Sequence, residues 1–84
     1  MKGQLRGEGR LDYLNGSWYE GQWKDSKMNG KGVYEEANAL TRYEGQFKDG
    51  LMHGLGVYTK KDESVIKGIW KNDKIEKIIV YQNT

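Results

Sequence analysis

"YEGQWKDSKMNGKGVY", Tyr19 to Tyr34, returns twenty-four residues later as "YEGQFKDGLMHGLGVY", Tyr43 to Tyr58, with eleven of the sixteen positions identical. A single copy would invite reading Gly30-Lys31-Gly32 as a phosphate cradle, with glycines for close backbone approach and a lysine for charge. Recurrence at a fixed period argues otherwise. A segment that repeats at this interval is a structural unit that packs on its own copies. A phosphate loop also needs a helix amino terminus after the glycines, and no stretch of this chain has helical periodicity.

The register extends outward from these two copies. Gly7 and Gly9 in "GEGRLDYLNGSW" match Gly30 and Gly32, then Gly54 and Gly56. "IKGIWKNDKIEKIIVY", Ile66 to Tyr81, matches a whole unit whose second glycine pair has become Lys77-Ile78-Ile79. Leu5, Met28, Met52 and Ile75 are equivalent and all apolar. The chain therefore reads as one domain, residues 1–84, with a partial unit 1–18, full units 19–42 and 43–65, and a degenerate unit 66–84. Degenerate terminal units are the mark of caps in a repeat array.

Each unit reads as two strands. In "YEGQW" the residues Tyr19, Gly21 and Trp23 alternate with Glu20 and Gln22, the period of two of a strand with one packed face. "KGVYE" is the return strand, and the residues between them are turn formers. Asn15-Gly16 predicts a tight type I′ turn between the first units. The connections around Ala37–Ala39 and Lys61–Glu63 are expected to be longer. The fold class is all-β, with about seven antiparallel strands in one single-layer twisted meander. In such a sheet a ring covers bare backbone on the next strand, and only glycine leaves room for it. Tyr19 and Trp23 are expected to lie over glycines such as Gly32.

Composition limits the function. Twelve glycines and 12% aromatic residues accompany only 36% hydrophobic residues, so burial must come from a few large rings. The 14 basic and 12 acidic residues are mixed along the chain rather than clustered, which argues against nucleic-acid binding. With no cysteine there is no disulfide or thiolate metal site, and the single histidine makes a transition-metal centre improbable. No apolar run approaches a bilayer span and the amino terminus has no signal-peptide core. The expectation is a soluble, intracellular protein.

Tyr-x-Gly-x-Trp, a turn, then Gly-x-Gly-Val-Tyr at this period closely resembles the MORN repeat (membrane occupation and recognition nexus). The resemblance spans Gly7 to Tyr81. It implies an elongated sheet of successive hairpins with an aromatic groove, serving as a scaffold or interaction module while other domains do chemistry. It also implies a cytoplasmic setting, with cytoskeletal, ciliary or membrane association among the family's known contexts.

Nothing assembles into a catalytic set. His53 replaces Asn29 in the second copy and is expected in a turn, and Glu35-Glu36 and Asp62-Glu63 read as solvated loop acids. No cofactor, metal or small-molecule substrate is expected, and the chain reads as a non-enzyme. The partner-binding candidates are the rings Tyr19, Trp23, Tyr34, Tyr43, Phe47, Tyr58 and Trp70. Ile78, Ile79 and Val80 join them, in an apolar terminal strand that is either an internal cap or an interface to a protein partner or second copy. The alternative is a peripheral module that holds anionic phospholipid through Lys24, Lys27, Lys48, Lys71 and Lys74.

Overall fold

The computed structural model describes residues 6–39 and 41–82. Leu5, the first of the four equivalent apolar positions, lies outside them. Seven strands follow in chain order: β1 (Gly7–Asp12), β2 (Trp18–Lys24), β3 (Lys27–Glu35), β4 (Arg42–Lys48), β5 (Leu51–Thr59), β6 (Val65–Lys71) and β7 (Lys74–Gln82). They form one antiparallel sheet in sequential order, 45 × 26 × 16 Å overall. The all-β meander expected from the repeat is the fold observed.

The two full units repeat each other pairing for pairing. Tyr19↔Tyr34, Gly21↔Gly32, Trp23↔Met28 and Lys24↔Lys27 in the first become Tyr43↔Tyr58, Gly45↔Gly56, Phe47↔Met52 and Lys48↔Leu51 in the second. One row of the register is glycine from β1 to β6: Gly9, Gly21, Gly32, Gly45, Gly56 and Gly68 face one another in turn. It ends at Ile78 on β7. This bare strip carries the rings from the flanking rows.

The two glycines of each GxG do different work. Gly32 lies under the Tyr19 ring, and Gly56 under Tyr43, so that a β-carbon at either place would collide with the ring. Gly30 and Gly54 instead sit at left-handed φ of 92° and 97° where the register shifts. There Gln22 Oε1 accepts the Lys31 N–H at 2.8 Å, and Gln46 Oε1 accepts that of Leu55 at 3.2 Å. A glutamine thus closes each bulge from the neighbouring strand. In the last unit Ile66 replaces the tyrosine and Ile79 the second glycine, while Ile69 replaces the glutamine and Lys77 the first glycine. Each residue is lost together with the partner it serves.

The turns correct two sequence expectations. The type I′ turns lie within the units, where Asp25-Ser26, Asp49-Gly50 and Asn72-Asp73 hold positive φ at both central positions. Asn15-Gly16 is not one of them. Gly16 N–H donates to Tyr13 O at 3.0 Å and Tyr13 N–H to Ser17 O at 2.8 Å, with positive φ at Gly16 alone. This is a three-residue loop closed by a bulge, in which Asn15 Oδ1 accepts from the Ser17 N–H and hydroxyl instead of entering the left-handed region. The Lys61–Glu63 connection, expected to be longer, is the same loop: Glu63 N–H donates to Lys60 O at 2.8 Å and Lys60 N–H to Ser64 O at 2.9 Å.

Candidate functional site

Five side chains form the core: Tyr19, Trp23, Tyr43, Phe47 and Trp70. They interleave between units. Tyr19 stands edge-on to Trp23 and to Phe47, each with ring centres 5.0 Å apart. Tyr43 does the same with Phe47 at 5.0 Å and Trp70 at 5.6 Å. Each such pair contributes about 0.5–1.5 kcal/mol beyond the area it buries. The polar tips are satisfied by backbone. Tyr19 and Tyr43 hydroxyls donate to Gln22 O and Gln46 O, both at 2.9 Å, and Trp23 Nε1–H to Gly9 O at 3.0 Å. Burial pushes both tyrosine pKa values up to about 12.

The rings named from the sequence therefore divide into two groups. Tyr19 is 0% exposed and Tyr43 1%, and Trp23, Phe47 and Trp70 are buried with them. These five hold the sheet, so Trp23 and Phe47, named among the partner-binding candidates, are core residues with little surface to offer. Interdigitation between units closes these rings from solvent even in a single-layer sheet. Tyr34 and Tyr58 remain half-buried, packed against the core with Met28, Met52 and Tyr13, which the sequence reading did not select.

These half-buried residues line a groove on the ring face. Tyr13, Tyr34, Tyr58, Met28 and Met52 form its accessible surface, over Tyr43 and Phe47. Tyr34 and Tyr58 occupy β3 and β5, on either side of Tyr43 in β4, so their backbones are about 10 Å apart. Turn backbones tie successive units together along one end of the groove. Gly50 N–H donates to Met28 O at 2.9 Å and Asp73 N–H to Met52 O at 3.0 Å, while Asp73 Oδ1 accepts the Met52 N–H at 2.7 Å.

The lysines lie elsewhere. Lys24 faces Lys27, and Lys71 faces Lys74, across the type I′ turns. With Lys48 at the middle turn, the five lysines line one edge of the sheet and all are exposed. Lys24, Lys27 and Lys48 also border a second concavity, together with Lys31, His53, Asp25, Asp49 and Phe47. His53 lies in β5 and not in a turn, because the two-residue turn lets the strand begin at Leu51. Among the described residues no cluster of His, Cys, Asp or Glu is arranged to hold a metal.

The terminal strand pairs with β6 along its length, and all nine of its residues are exposed. Ile78, Ile79 and Val80 are 53%, 50% and 43% exposed. At this exposure they give the last strand an apolar edge.

A scan against protein-family models matches the MORN repeat at residues 19–37 and 43–65. The chain belongs to the MORN repeat family. MORN repeats are non-catalytic modules generally involved in protein and membrane interactions. A comparison with curated proteins found no match.

Proposed function

We propose that this chain is a non-enzymatic interaction module that seats a protein partner in its ring-face groove, as part of a cytoplasmic scaffold. The observation that carries this reading is the division of the rings. Buried Tyr43 and Phe47 form a rigid floor, and half-buried Tyr34 and Tyr58 present apolar and hydroxyl surface above it. Large rings held in place by their neighbours give up little freedom on binding, which is why tyrosine is common among interface hot spots. The test is affinity isolation from the native cell with the intact protein and with Tyr34→Ala/Tyr58→Ala. A protein retained by the first and lost by the second, and then bound directly when purified, supports the groove. Partners retained equally by both would contradict it.

The lysine edge supports a second reading, docking on anionic phospholipid through Lys24, Lys27, Lys48, Lys71 and Lys74. Near an anionic surface each lysine contributes about 1 kcal/mol, an attraction that salt screens. Asp25, Asp49 and Asp73 in the same turns oppose it. Sedimentation with phosphatidylserine vesicles at low and high salt distinguishes the two readings. Lipid binding would be lost with salt and with Lys-to-Glu changes, and would be indifferent to Tyr34 and Tyr58.

A further inference from the structure

The residues that line the ring-face groove include two carboxylates, Glu36 and Asp73, and no lysine or arginine. The other concavities mix signs, Asp25 and Asp49 beside lysines in one and Glu20 and Glu44 beside lysines in another, so what sets the groove apart is that its acids have no basic neighbour in the lining. Lys24, Lys27, Lys31 and Lys48 border a second concavity, and Lys31 and Lys67 a third. Arg42, the arginine nearest in register, pairs with Glu35 at 3.4 Å rather than reaching the groove. We propose, on the groove reading above, that the occupant is a protein segment with an apolar centre and a lysine or arginine toward each end.

The placement of the two acids supports the length and polarity of that segment. Glu36 follows the end of β3, on the side of the sheet where the unit-to-unit loops lie. Asp73 precedes β7, on the side of the type I′ turns. The groove thus runs between carboxylates at opposite ends of the strands, a span of roughly 20 Å for strands of this length. That accommodates about six extended residues or about thirteen helical ones. Both acids are exposed, and each holds an oxygen on a local donor: Thr41 Oγ1 donates to Glu36 Oε1 at 2.7 Å, and the Met52 N–H to Asp73 Oδ1. Each carboxylate is thereby oriented yet keeps lone pairs free for a cation. Between them the faces of Tyr34 and Tyr58 suit both apolar side chains and a guanidinium.

The discriminating variant is Glu36→Gln/Asp73→Asn. Each amide keeps the oxygen that accepts the local hydrogen bond, and asparagine tolerates the left-handed backbone of position 73, so charge is removed and the fold retained. Peptides selected from a displayed random library on the intact protein are then measured against this variant and against Tyr34→Ala/Tyr58→Ala. The expected result is enrichment of peptides with basic residues flanking an apolar core. They should bind about tenfold more weakly to the charge variant and lose binding to the ring variant. Peptides that need the rings but are neutral or acidic, or that ignore the charge variant, overturn this inference and leave the groove standing. A selection that yields no peptide dependent on Tyr34 and Tyr58 overturns both.

Discussion

The Tyr19 ring rests on the backbone of Gly32, and no β-carbon fits beneath it. Tyr43 and Gly56 repeat the arrangement one unit on, so a tyrosine and a glycine on neighbouring strands act as one packing element. Gly32→Ala should therefore destabilise the sheet by about 2 kcal/mol through overpacking. Combined with Tyr19→Leu, which removes the colliding ring, it should cost less than the sum of the two single changes. Urea unfolding of the four proteins checks this.

Glu63 holds a φ of 70° at the loop position where the first unit has Gly16 at 96°. A left-handed backbone is strained for glutamate and free for glycine. Glu63→Gly should raise stability by roughly 0.5–1 kcal/mol, seen as a higher Tm with unchanged spectrum.

Much of this architecture is visible in the sequence because each device recurs. The period of two, the ring-and-glycine spacing and the erosion of the last unit all follow from comparing the copies. Gln22 and Gln46 were legible by the same means but stayed hidden, since a polar residue on the outer face of a strand looks like a solubilising one. Only the positive φ at Gly30 shows what it does. Burial of Trp23 and Phe47 was not readable, because it depends on how far Tyr19 of one unit inserts between rings of two. The Asn15-Gly16 loop departs from its expected type for a local reason. Asn-Gly favours a type I′ turn in isolation, but the Asn15 side chain found Ser17 and set a different loop.

Burial holds Tyr19 and Tyr43 at about 12, above the ordinary 10 of the unfolded chain. Below pH 10 both states keep the proton and the full contribution to stability is present. Between 10 and 12 the unfolded chain releases protons that the folded chain retains, so stability falls as pH rises. Urea unfolding across this range should show the decline, and Tyr19→Phe/Tyr43→Phe should flatten it. A decline of the same slope in that variant would assign it to other groups.

The β7 edge exposes Ile78, Ile79 and Val80 beside unpaired strand backbone, the arrangement that invites a further strand. Self-association through it should appear as concentration-dependent sedimentation. Ile79→Lys/Val80→Lys should abolish that association and leave a folded monomer. A wild-type protein that stays monomeric at high concentration, with a variant that unfolds, would instead make the strand a purely structural end to the sheet.

The most direct test of the groove as a protein-binding site is calorimetric titration of a purified partner, identified by the isolation above, into three proteins. These are the wild type, Tyr34→Ala/Tyr58→Ala, and Lys24→Glu/Lys27→Glu/Lys48→Glu. Truncating hot-spot rings costs about 2 kcal/mol or more, so the ring variant should bind at least about tenfold more weakly while its circular dichroism is unchanged. The lysine variant should bind as the wild type does. Undiminished affinity in the ring variant, with loss in the lysine variant and in salt, would contradict the groove and place recognition on the basic edge.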